Sequence, residues 1–237
     1  MNKSGISIML TFLLFIVQYS GAQSVDQIIN AHLKASGQDQ LNKISTVRSY
    51  GKAVQMGMEL PFLQIQKRPD KMYLEIDIQG MKMIQAYDGE KGWLIEPWVN
   101  PDSRELTGQE LYNFGQMASI DSDLVDWDKK NYSLEFIGRE KFYDSEVFRL
   151  KLIKDDGETY LFYIDVDSYL IKKMVTHSDY EGSIVEGETI LSDYRDINGI
   201  KVPFMTEVRY GGQTLMTNLI EKVEFDVMIE DRFFSIP

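Results

Sequence analysis

The residues able to do covalent or metal chemistry are few and poorly placed for it. Two histidines, His32 and His177, fall in unrelated segments, and the chain has no cysteine. A zinc site needs several nitrogen or sulfur ligands at close spacing, and neither an HExxH helix nor a cysteine pair is present. The densest acidic group, Asp121, Asp123, Asp126 and Asp128, lacks the glycine and the spaced final glutamate of a calcium loop. No GxSxG elbow presents a serine, and a serine triad must draw on one of the two histidines. Phosphate cradling needs a glycine-rich loop between strand and helix, whereas Gly211-Gly212 reads as a hairpin turn. No cofactor and no metal are expected. An unrecognised hydrolase built on some pair of the 37 Asp and Glu residues stays open as a third reading.

The chemistry that remains is apolar. Met56, Met58, Met72, Met81 and Met83, five of the 12 methionines, fall within 28 residues. Met56 and Met58 share one strand face in this reading, as do Met81 and Met83. Methionine is flexible and polarisable, so such residues either fill a core against helices or grip an irregular apolar ligand. Candidate cavity walls are Met56, Met58, Met81, Met83, Trp93, Phe114, Met216 and Ile220. Burying an acyl chain gains ~0.8 kcal/mol per methylene, so a tail of about 14 carbons is held by on the order of 10 kcal/mol before ordering costs.

These residues have to be positioned by strands. From Val47 the apolar period is two, and five strands are predicted over Val47–Met58, Leu60–Lys67, Lys71–Ile78, Met81–Tyr87 and Gly92–Glu96. Four more follow at Tyr132–Ile137, Val147–Ile153, Thr159–Ile164 and Leu170–His177. The last three fill the stretch to Phe225, turning at Asn198-Gly199 and Gly211-Gly212, pairs that tolerate the positive φ of two-residue loops. In Gln213–Phe225 one face carries Leu215, Leu219, Val223 and Phe225, and the other Met216 and Ile220. A sheet with one wet face alternates more cleanly than this, so something covers or fills the second face. Ser24 caps a helix that Gly37 ends. Pro97 and Pro101 stop a strand, and Thr107 with Glu110 forms a capping box for a helical insert through Leu111, Phe114 and Met117. The expected fold is mainly β: an incomplete, strongly curved antiparallel barrel of about 11–12 strands, with an N-terminal helix and a helical lid over the concave face.

Residues 1–22 carry Lys3, an apolar run from Ile6 to Val17 and the small residues Ser20-Gly21-Ala22. They read as a secretory signal peptide cut after about Ala22, too short to span a bilayer as a helix. Removing them leaves 215 of the 237 residues, read as one domain over 23–237. The formal charge moves from −12 to −13, because Lys3 is the segment's only charged side chain. This balance argues against nucleic acid and against adhesion to anionic membranes. A freely soluble monomer of the periplasm is expected, without stable membrane insertion.

Several segments resemble a known family. QIQKRPDKMYLEI followed by IQAYDGEKGW is similar to the K-R-P…D-G-x-x-x-W core of the LolA- and LolB-like carriers and sorting proteins of outer-membrane lipoproteins. Lys67, Arg68 and Pro69 match the first part, and Asp88, Gly89 and Trp93 the second. EFDVMIEDRFFSIP resembles the family's closing D-x-x-F-x-x-P pattern. YIDVDSYLIKKM and DYRDINGIKVPF are similar to longer lipoprotein-sorting relatives of Bacteroidetes type. The resemblance implies a curved barrel whose cavity holds lipid or lipoprotein acyl chains, with donor and acceptor proteins in the envelope. It also implies that Arg68 is a lid latch, bonding to the covering helices when the cavity is closed. The competing expectation is a non-catalytic structural or sensor module of the envelope whose sheet docks a protein partner.

Overall fold

The computed structural model describes residues 24–180 and 183–235. The segment read as a signal peptide and the closing Pro237 lie outside the described residues. Helix α1 (Val25–Ser36) starts as its sequence dictates: the Ser24 hydroxyl accepts from the Gln27 amide, and the Gln27 side chain returns a bond to the Ser24 amide. It ends on Gly37 in the left-handed conformation, whose amide bonds the Leu33 and Lys34 carbonyls. A single turn, α2 (Gln38–Leu41), follows.

Six strands come next: β1 (Thr46–Gln55), β2 (Met58–Lys67), β3 (Lys71–Ile78), β4 (Met81–Tyr87), β5 (Gly92–Glu96) and β6 (Asn100–Leu106). After helix α3 (Gly108–Gln116) come β7 (Ser133–Phe142), β8 (Ser145–Ile153), β9 (Thr159–Asp165), β10 (Ile171–Tyr180), β11 (Ser183–Ile197), β12 (Ile200–Tyr210) and β13 (Gln213–Phe225). They form one antiparallel sheet of 13 strands in the order β6-β5-β4-β3-β2-β1-β13-β12-β11-β10-β9-β8-β7, strongly curved and not closed. The strand beyond the expected number is β6, where Pro97 and Pro101 read as stops. Pro101 is tolerated because β6 is an edge strand, whose missing amide breaks no ladder bond.

This order gives residues 107–132 their role. β6 and β7 are neighbours in sequence but occupy opposite edges of the sheet. The connection between them is therefore a strap across the concave side. At one end Phe114 and Ala118 pack on Met72, Leu94 and Leu106. At the other, Leu124 and Trp127 pack with Ile28 and Ile29 of α1 on Phe148, Leu150 and Phe162. Each fully buried Ile, Leu or Phe stabilises the fold by about 1.5–3 kcal/mol. The capping box expected at α3 is absent: Thr107 makes no side-chain cap, and both Glu110 oxygens instead accept from Arg104 of β6 at 2.7 Å. The outer face of the N-terminal strands is sealed by the C-terminal segment, whose Ile229 and Phe234 cover Ile65, Tyr73, Ala86 and Trp93.

Candidate functional site

Between the sheet and the strap lie two connected chambers. The smaller, about 410 Å³, is walled by Val47, Ala53, Phe62, Leu74 and Ile76 from β1–β3 and by Met216, Ile220, Val223 and Phe225 from β13. The larger, about 790 Å³, has an apolar floor of Phe162, Ile171, Met174 and Leu191 under a polar rim that includes Asp70, Glu90, Lys130 and Lys201. Leu41, Ile120, Ile200, Lys201 and Pro203 belong to both, so the chambers meet there. Each volume falls in the range of about 300–1,000 Å³ that small-molecule sites occupy.

Two local irregularities shape the dry chamber. Gly51 lies under the Phe62 ring, and a Cβ there would stand 2.7 Å from the Phe62 Cζ and 2.3 Å from the Leu219 carbonyl oxygen. Only glycine lets Phe62 lie across β1. On β13, Lys222 pairs with Tyr50 and Ile220 with Gly51, leaving Glu221 as a bulge. The extra residue shifts the alternation by one. Val223 and Phe225 thus join Met216 and Ile220 on the inner face, rather than the face of Leu215 and Leu219 expected from unbroken alternation.

The other proposed wall residues are dispersed. Met83 and Phe114 pack in the cluster under α3. Trp93 is buried on the outer face against the C-terminal segment, and so corrects the expectation of a cavity wall. Met56 is 91% exposed, and Met58 and Met81 are also exposed, all three at hairpin tips. The strand expected to run through Met58 turns instead at Met56-Gly57, with φ of 51° and 77°. Phe62, Leu74 and Ile76 were missed; a strict alternation on β2 and β3 carries them, but it does not say which face is concave.

Arg68 sits where β2 turns into β3 and reaches the strap. Its two terminal nitrogens both donate to the Asp121 carboxylate, Nη2 to Oδ1 at 2.8 Å. Its Nε donates to the Ile44 carbonyl at 2.8 Å, and Nη2 also to that of Leu41 at 3.3 Å. The buried Gln38 amide adds a bond to Asp121 at 2.8 Å. Hydrogen bonding to Arg68 is the main reason that the Asp121 carboxyl titrates below the usual carboxylate range. The bonded carboxylate also raises the Arg68 pKa.

A second cation, unforeseen in the sequence, holds the strap from the other side. The Lys154 side chain is 3% exposed, and its Nζ lies 2.9 Å from Gln116 Oε1 and 3.1 Å from Asp123 Oδ2. It also stands 4.6 Å from the centre of the Tyr160 ring. Tyr112 of α3 donates to the Asp156 carboxylate in the same β8–β9 turn. Asp121 and Asp123 thus pair with different cations, Arg68 and Lys154. No sequence motif marks Lys154; only the fold brings it to the strap.

His32 lines the larger chamber, and its Nδ1 donates to the Tyr169 carbonyl at 2.8 Å. Burial pushes its pKa down, outweighing the raising effect of that bond, so the ring is neutral at pH 7. Its unfolded counterpart titrates near ~6.5. His32 therefore favours the fold fully above that pH and loses its contribution as pH falls through it toward the lower folded value. Denaturant unfolding at pH 7.5 and 5.5 should show wild type losing more stability than His32→Phe. Equal losses would remove His32 as the titrating group.

No protein-family model matches the sequence, and no curated protein matches it. The fold does match solved structures. A DUF1329-family protein from Desulfovibrio piger aligns with a TM-score of 0.63 at 14% identity over 90% of this chain and 98% of that one. An outer membrane lipoprotein-sorting protein domain from Vibrio parahaemolyticus aligns with a TM-score of 0.57 at 12% identity, over 86% and 97%. A LolA superfamily protein from Nitrosomonas europaea aligns with a TM-score of 0.55 at 14% identity, over 84% and 97%. The chain has the fold these proteins share.

Proposed function

We propose that this chain is an exported, non-catalytic carrier that takes lipid acyl chains, those of lipoproteins among them, into the strapped chamber and delivers them towards the outer membrane. The observation that carries the reading is the 410 Å³ chamber, walled mostly by apolar inner-face side chains with Ser49, Gln64 and Asn218 among them, and covered by a strap tied to Arg68. It is reinforced by the likeness to a lipoprotein-sorting domain and a LolA superfamily protein. The open inner face favours a carrier over a scaffold or sensor module. In this reading Arg68 is the latch, the acyl tail lies along Met216 and Ile220, and the polar rim of the larger chamber receives the head. Donor and acceptor proteins of the envelope are its partners, the periplasm its compartment, and residues 1–22 the export signal.

Native mass spectrometry of the mature protein from its own envelope, followed by lipid extraction, tests this directly. Acyl species are expected, as is binding of a fluorescent fatty-acyl probe. Neither one being found would sink the carrier reading. Ile220→Trp fills the dry chamber and is expected to weaken probe binding at least ~10-fold, because each methylene kept out forfeits ~0.8 kcal/mol. Unchanged affinity would move the acyl site elsewhere.

A further inference from the structure

Exposed apolar side chains are unevenly distributed over this molecule. In an antiparallel meander the turns alternate between the two edges. The β1–β2, β3–β4 and β5–β6 hairpins therefore share one edge, and the antiparallel pairing of β1 with β13 puts the β12–β13 hairpin there too. The eight strands involved are contiguous in the sheet, so these four tips form one rim, with neighbours about 10 Å apart. Met56 and Met58 stand on the first hairpin and Met81 on the second, Trp98 and Val99 on the third, and Tyr210 and Leu215 on the last. They are seven of the ten large hydrophobic side chains exposed among the described residues, and Val99 is 73% exposed.

The outermost residues of these tips carry no charge, although Glu59, Asp77, Lys82, Glu96, Asp102 and Arg209 flank them. Residues 55–58, 78–81, 97–101 and 210–220 contain no Asp, Glu, Lys or Arg, in a chain that is 26% charged. The turns at the opposite edge of the same strands carry Arg68 and Asp70, and Asp88, Glu90 and Lys91. Soluble surfaces rarely gather apolar side chains this way without a partner. A Trp, a Tyr and flexible Met and Leu tips suit the headgroup layer of a bilayer, where apolar bodies sink and polar ends stay wet. The tips hold no basic residue, the flanking Lys82 and Arg209 are paired with Glu75 and Glu207, and the chain carries a formal charge of −12, so anionic lipid would repel it. The dry chamber reaches the same edge: Ala53 lies near the end of β1, and Met216 adjoins Leu215.

We propose that these four hairpin tips are a docking surface for an electrically neutral bilayer, settling reversibly into its headgroup layer with the end of the dry chamber facing the lipid. This goes beyond the carrier reading and does not need it.

The test is flotation of the mature protein with protein-free phosphatidylcholine vesicles, with and without added phosphatidylglycerol. Wild type is expected to float with the neutral vesicles and less with the anionic ones. Emission from Trp98, taken as the difference from Trp98→Phe, should move to the blue. Met56→Asp/Leu215→Asp should cut the floating fraction at least tenfold, with melting temperature and acyl-probe binding unchanged. Ile220→Trp should still float, since its chamber is plugged but its rim intact. Wild type that stays unbound, the double variant floating as wild type does, or loss of flotation in Ile220→Trp would each overturn the proposal. Capture by a membrane protein but not by protein-free vesicles would assign the rim to that protein and overturn it too. Flotation without any acyl binding would uphold the rim and sink the carrier.

Discussion

Gly37→Ala is expected to destabilise the protein by about 2–4 kcal/mol, lowering the melting temperature of a chain this size by roughly 5–15 °C. Two costs combine. Gly37 ends α1 at φ 83°, where an L side chain pays ~1 kcal/mol or more. A Cβ there would also stand 2.0 Å from the Gly199 carbonyl oxygen, so the β11–β12 turn must be pushed off the helix end. Overpacking of that kind costs about 1–3 kcal/mol. Gly57→Ala is the control: its φ is 77°, but nothing lies within 4 Å of the added carbon. It should lose only the conformational part. If the two variants melt alike, the contact between helix end and hairpin contributes nothing and the larger figure is wrong.

That contact illustrates what the sequence reveals and where it falls silent. Asn198-Gly199 announces a hairpin, and the turn forms with φ of 56° and 83°. Ser24 and Gly37 announce the ends of α1 equally well. Nothing local says that these two features touch, because the contact joins segments more than 150 residues apart. The curved meander itself was legible because period-two alternation and two-residue turns are local signals. Met56-Gly57 was not, since methionine is a poor marker for a left-handed turn position and the usual Asn or Asp is missing.

The site was legible in part for the same reason. The K-R-P triplet singles out Arg68, but the partner that gives the latch meaning, Asp121, lies 53 residues away. In the sequence it looks like one of four equivalent aspartates. Met216 and Ile220 were placed on a common face and stay there, because no irregularity lies between them. Beyond them the bulge at Glu221 changes the faces of Val223 and Phe225, and a bulge has no composition signal here. Met58 and Met81 miss the cavity for a different reason: they share the strand faces of Phe62 and Met83 but stand at hairpin tips beyond the covered part of the sheet, and type and face are legible in sequence where the extent of the cover is not.

The double variant Arg68→Leu/Lys154→Met is expected to free the strap, and its behaviour decides whether the strap moves as one body. Each cation makes charge-assisted hydrogen bonds of about 1.5–3 kcal/mol. The Arg68 pair keeps 29% and 21% of its side-chain surface exposed, so its share falls near the lower end. Together about 3–4 kcal/mol of docking is lost, which raises the open fraction roughly 100- to 1,000-fold at tenfold per 1.4 kcal/mol. Hydrogen exchange in residues 117–131 and the release rate of a bound acyl probe read that change. A rigid strap released as a unit predicts that each single variant raises release roughly 10- to 30-fold, and that the two factors multiply in the double variant, because both cations contribute to one opening equilibrium. The double variant should then exceed the sum of the singles. Factors that add rather than multiply would mean two independent flaps, and wild-type release in the double variant would end the latch role. Acid is not an alternative trigger. The Asp121 carboxyl is held below the usual range by Arg68, so the latch is fully formed above about pH 4 and is lost only as pH falls through the lowered value. Between pH 5 and 8 nothing in this pair titrates, and opening has to come from a ligand, a surface or a partner that competes for the strap.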